Sequence, residues 1–139
     1  MQDQYNLIKR EEERGDAADV RRHGCRLRPV LSARQGQAHP PRGTQTDRSA
    51  VDVGAKSFDL DVDQPVVDAV QRVAESRGIP MSKVALAWLL PKPVVSAPIV
   101  GATKPHRLAD AAVPVAVAIT VDEIRQLEEL YTPQALDWW

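Results

Sequence analysis

The sequence predicts an α/β fold rich in helix. Three observations carry this. A helix-spaced apolar face runs over Val66, Val67, Ala69, Val70, Val73 and Ala74. A short apolar run at Ala97–Gly101 is bounded by turn residues, the pattern of a buried parallel strand. A capping box at Thr120-Val-Asp-Glu123 opens a last helix. Helix, helix, strand, helix, helix is an α/β order with no internal repeat.

Each element follows from its residues. The opening residues read as the tail of a strand, with Tyr5, Leu7 and Ile8 apolar. Lys9 to Arg14 is a dense charge run, read as a solvated helical turn. Asp63 is a plausible N-cap, with Pro65 in the first turn where its missing N–H costs little. Gly78 stops that helix and Pro80 follows it. Ser82 is expected to cap a second helix running through Leu90, with Val84, Ala85, Leu86, Trp88 and Leu89 buried; Pro91 and Pro93 end it. His106–Ala112 reads as a short helix stopped by Pro114, and Ile124, Leu127 and Leu130 give the final helix its inner face.

Composition sets bounds. A chain of 139 residues suits one modest domain, and its net charge of −1 predicts no nucleic-acid partner. The single cysteine, Cys25, excludes an internal disulfide and argues against structural zinc. The most apolar region, Val84–Ala102, is interrupted by Pro91, Lys92, Pro93 and Pro98, so no membrane span is expected. The opening residues lack a signal-peptide pattern, and a soluble cytoplasmic protein is the expectation.

Gly15 to Arg42 stands apart. It holds arginines at 21, 22, 26, 28, 34 and 42 and has no Lys, Glu, Ile, Met, Phe, Tyr or Trp. Pro29, Pro40 and Pro41 leave no sustained period of either kind, so no strand or helix is expected there.

Two segments nevertheless resemble one family. Met1-Gln-Asp-Gln-Tyr-Asn-Leu-Ile-Lys-Arg-Glu-Glu-Glu-Arg14, and Asp63 onward with Val84-Ala-Leu-Ala-Trp-Leu-Leu90 and Ala97-Pro-Ile-Val-Gly-Ala-Thr-Lys-Pro-His-Arg-Leu108, look like the C-terminal part of the NADP-dependent aldo-keto reductases. That resemblance implies a (β/α)₈ barrel, and a whole barrel needs roughly 250 residues. The expectation is therefore an incomplete barrel fragment, from about the end of the sixth strand to the C-terminus.

The resemblance also implies a site. In the family, the chain leaving the last strand wraps the 2′-phosphate of NADP(H). The matching segment, Ile99–Asp110, offers the chemistry such a ligand needs. Gly101 lets backbone approach, Ala102 and Thr103 follow it, and Lys104 and Arg107 supply charge. A helix start after Pro105 adds free N–H groups. Lys104 and Arg107 alone would read as a solvated helix start; the whole segment favours the phosphate site. Asp110 falls where the family often has an acid near the adenine, while Ala111 stands where Asn is frequent. Gln2 matches the family Gln whose amide meets the nicotinamide carboxamide.

The family activity is reduction of a small aldehyde or ketone by hydride transfer, with a Tyr, Lys, Asp and His tetrad. No residue here occupies a matching position, including Tyr5, Tyr131, His23, His39 and His106, so no catalytic residue and no metal ligand is assigned. The chain is then expected to be inactive by itself. The alternatives are a non-catalytic remnant that binds nucleotide or docks on a relative, and the product of a decayed gene. The family's seventh strand, ending in a Tyr/Trp-Ser-Pro-Leu-Ala-Arg-Gly pattern, is missing from Gly15–Arg42 as written. Codons for Asp16–Gly24 permit Met-Leu-Pro-Met-Cys-Ala-Asp-Thr-Gly one nucleotide later, and those for Pro29–His39 permit Pro-Tyr-Ser-Pro-Leu-Ala-Arg-Gly-Lys-Leu-Thr. Gly15–Arg42 is accordingly read as out-of-frame and disordered, against a competing reading as a basic nucleic-acid arm, which its lack of interleaved aromatics disfavours. Without the missing strands, a marginal or aggregation-prone product is expected. The gene should carry codons across Gly15–Arg42 that yield the family pattern in the next frame; sequencing that finds codons unable to do so removes the idea.

Overall fold

The computed structural model describes residues 2–14, 22–23, 25–30, 60–101, 109 and 112–133. The order is strand β1 (Gln2–Gln4), a 3-10 turn (Glu11–Arg14), strand β2 (Arg28–Val30), helices α1 (Leu60–Arg77) and α2 (Met81–Leu89), a second 3-10 turn (Val113–Ala116), and helix α3 (Val121–Glu128). β1 and β2 pair in parallel, with Gln2 opposite Arg28, Asp3 opposite Pro29 and Gln4 opposite Val30. Leu27 forms a further parallel bridge to Val95.

β2 corrects the expectation that Gly15–Arg42 contributes no strand. Its period-two signal is present but carried by unusual residues: Leu27 and Pro29 are buried while Arg26 and Arg28 are exposed. Pro29 weakens the strand reading because it cannot donate to a ladder. Alternation turns its nitrogen away from β1, so the β1–β2 pairing survives it. The remaining expectations for this stretch fall mostly outside the described residues.

α1 buries Val66, Ala69, Val70, Val73 and Ala74, one face at helical spacing. It starts at Leu60, so Asp63 is a buried first-turn residue rather than the cap. Its end is a Schellman motif: Gly78 takes φ 63°, its N–H bonds Glu75 O at 3.2 Å, and the Ile79 N–H bonds Ala74 O at 3.1 Å. α2 begins two residues earlier than expected. Pro80 is its N-cap and Ser82 lies in its first turn. Met81 and Val84 through Leu89 are all buried, so α2 is a core helix whose half-exposed residues are Ser82 and Lys83.

α3 carries the expected capping box. The Thr120 side chain accepts from the Glu123 N–H, and the Glu123 carboxylate accepts from the Thr120 N–H at 2.7 Å. Leu127 is fully buried, but Leu130 lies past the helix end and is exposed, which corrects its place on the inner face. The same Glu123 carboxylate accepts from Arg77 Nε at 2.6 Å and Nη2 at 2.5 Å, tying α3 to the last turn of α1. That two-point contact from Arg77, with the Thr120 bonds added, holds the Glu123 carboxyl at about 2.

The core gathers Tyr5, Leu27, Val70, Val84, Trp88, Leu89 and Leu127 among others, drawing on all three helices and on residues that flank the two strands. Trp88 is 1% exposed and its ring meets Tyr5 at 5.6 Å between centroids.

Two outcomes follow. Trp88→Ala should lower unfolding free energy by about 3–5 kcal/mol in urea titration, with Trp88→Phe losing clearly less. The Arg77–Glu123 contribution should be complete above pH 4.5, the ordinary carboxylate value, and disappear as pH falls through about 2, because Glu123 is more acidic folded than unfolded. Urea midpoints across that range should fall less in Glu123→Gln than in the parent chain.

Candidate functional site

Two of the expected cofactor residues, Gln2 and Gly101, belong to the segments β1 and 94–101, which β2 links by hydrogen bonds. Leu27 N–H donates to Val94 O at 2.7 Å, and Ser96 N–H donates to Leu27 O at 2.8 Å, a regular parallel rung. The next rung would need the N–H groups of residues 29 and 98. Both are prolines, so both bonds are lost. Instead Ile99 N–H reaches Pro29 O at 2.8 Å. Ala97–Gly101 is therefore not the buried strand that the sequence predicts. Ile99 is 37% and Val100 41% exposed.

Of the expected site residues, Gln2 lies on β1 and is exposed. Gly101 is exposed at the end of the 94–101 segment, and a Cβ there would meet nothing within 4 Å. Both leave open space for a ligand. Gln4 shares the strand face of Gln2, and its Nε2 is buried without a hydrogen-bond partner. Sequence reading passed over it. Ala102, Thr103, Lys104, Arg107 and Asp110 lie outside the described residues, as does most of the expected helix at His106–Ala112.

A second cluster surrounds Trp88. The charge run Lys9–Arg14 is not a solvated turn: Arg10 and Glu12 are buried. The Arg10 guanidinium donates to Glu13 at 2.7 Å, lies 5.7 Å from the Trp88 ring centroid and 5.1 Å from that of Tyr131. Lys92 Nζ sits 4.4 Å from the Trp88 centroid and donates to Glu128 Oε1 at 2.6 Å. Trp88 Nε1 donates to that same oxygen at 2.7 Å. Burial opposes charge on Glu128, but the donors Lys92 and Trp88 outweigh it and hold its carboxyl below the ordinary range.

This cluster ties the two phenols to carboxylates. Tyr5 donates to Glu13 at 2.6 Å and Tyr131 donates to Glu11. Burial first, then the carboxylate partner, pushes both phenols well above their ordinary value. A proton donor near neutral pH needs the opposite shift. The signal that could have found the cluster is Trp88 together with unlike charges at Arg10, Glu13, Lys92 and Glu128, far apart in sequence.

An open groove of 420 Å³ lies elsewhere, between the end of α1 and the start of α2, lined by Gln71, Glu75, Ile79 and Met81 among others. Among the described residues no group of His, Cys, Asp or Glu could hold a metal ion, and no helix is long and apolar enough to cross a membrane.

The fold has close counterparts. A glycerol dehydrogenase from Gluconobacter oxydans superposes with a TM-score of 0.73 at 19% identity, covering 99% of this chain and 45% of that one. A thermostable aldo-keto reductase solved with the inhibitor epalrestat superposes at 0.63 with 21% identity, covering 93% of this chain and 38% of that one. The fold is accordingly a partial (β/α)₈ barrel. In sequence, a versiconal hemiacetal acetate reductase of Aspergillus parasiticus is 36% identical over 98% of this chain and 41% of its own length. An aldo-keto reductase of Fusarium vanettenii is 34% identical over 98% of this chain and 37% of its own length. The chain thus spans about two fifths of the relatives it matches. The model of the Aldo/keto reductase family matches residues 3–132, and the chain belongs to that family.

Proposed function

We propose that this chain is the cofactor-holding C-terminal part of an NADP(H)-dependent reductase of aldehydes or ketones, working in the cytoplasm. The observation that carries this reading is the family match across residues 3–132, which includes the segment Ile99 to Asp110. Gln2 offers its amide to the nicotinamide carboxamide. Gly101 gives close backbone approach, Thr103 a hydroxyl, and Lys104 and Arg107 the charge that holds the 2′-phosphate. Ala102 and Asp110 complete the adenosine end. The bound cofactor supplies the hydride, and a carbonyl compound accepts it.

Among the described residues, neither tyrosine is free to donate a proton to a ligand. Tyr5 and Tyr131 each donate to a carboxylate within the fold. That favours a second reading for the chain by itself: a non-catalytic remnant that binds nucleotide or docks on a relative, with the product of a decayed gene as a third.

NADPH fluorescence titration of the purified chain tests the proposal. Saturable binding is expected, weakened at least about tenfold in the Lys104→Ala, Arg107→Ala double variant, since each lost charged hydrogen bond is worth about 1.5–3 kcal/mol. Absence of saturable binding would leave the sequence match as ancestry alone. NADPH oxidation with a simple aldehyde would overturn the non-catalytic reading.

A further inference from the structure

The 94–101 segment carries one residue too many for the strand it faces. On β2, the acceptors Leu27 O and Pro29 O are two residues apart. Their donors, Ser96 N–H and Ile99 N–H, are three apart. The segment is bulged, and the cause is Pro29 opposite Pro98, which together delete both bonds of the intervening rung. A one-residue slip has two geometric effects. It displaces the chain beyond it by about one residue rise, ~3.3 Å. It also exchanges the faces to which side chains point. The exposure of both Ile99 and Val100 fits a segment that has left regular pairing.

We infer that Pro29 and Pro98 are positioning residues: their bulge sets where Gly101, and with it the cofactor's phosphate end, stands relative to Gln2. This rests on the functional reading above for what Gly101 meets. The bulge itself stands on the hydrogen-bond pattern alone. Neither proline touches the ligand in this account. Their effect passes through the backbone of residues 98 to 101.

The test compares the parent chain with Pro98→Val and Pro29→Val by residue-resolved amide exchange and by titration with NADPH and NADH. In the parent, the amides of Leu27, Ser96 and Ile99 should be protected. In Pro98→Val the new amide of residue 98 should bond Pro29 O and become protected, while Ile99 loses protection. In Pro29→Val the new amide of residue 29 should bond Ser96 O. The preference for NADPH over NADH should fall about tenfold in Pro98→Val, because only the 2′-phosphate contact is displaced. General destabilisation would weaken both cofactors alike. An unprotected Ile99 amide in the parent, or an unchanged exchange pattern in both variants, overturns the bulge. A switched pattern with unchanged cofactor preference overturns its positioning role. A switched pattern with no binding of either cofactor to any form removes the phosphate-site reading, and the positioning role with it, while the bulge stands.

Discussion

Leu27 is the residue through which the two ends of the described chain become one body. Its N–H and its carbonyl are both taken by the segment after α2, and the strand that follows it pairs with β1. Parallel strands need partners that approach from distant sequence and helices to cover them. The segment that bonds Leu27 follows directly on α2, which is largely buried and against which α1 packs. Removing the Leu27 rung would leave β1 and β2 as a two-stranded ribbon, which has little stability of its own.

The Trp88 cluster meets the same need by other means. Arg10, Lys92 and Glu128 are charged groups held within the fold, and burying them is costly unless each finds partners. Here one carboxylate, Glu128, accepts from Lys92 and Trp88 and lies beside Arg10, and the indole ring faces both cations. The loop after β1, the end of α2 and the end of α3 are fastened at one point.

Much of this was legible in the sequence. The capping box at Thr120, the glycine stop at Gly78 and the apolar stripe of α1 are local signals, set by residues within one or two turns, and they appear as read. The failures share a different cause. Arg28-Pro29-Val30 looks unlike a strand until its neighbours are known. Ala97–Gly101 looks like one until Pro98 is seen to face Pro29. Lys9–Arg14 looks solvated until Trp88 and Glu128 are brought to Arg10. Each depends on contacts between residues tens of positions apart. For the candidate site, the two described members, Gln2 and Gly101, came from likeness to a family rather than from spacing, and Gln4 was missed because a half-buried glutamine has no sequence signature.

The fastening of Arg10 to Glu128 and Tyr131 also bears on how the chain acquires its shape. The contacts span separations of 118 and 121 residues, so the loop they close is nearly as long as the chain. Closing such a loop is slow to find, although its entropy rises only logarithmically with length. During synthesis, α2 emerges before Glu128, and at ~5–20 residues per second the interval is a few seconds. Through that interval the indole of Trp88 lacks the Glu128 carboxylate to which it later donates.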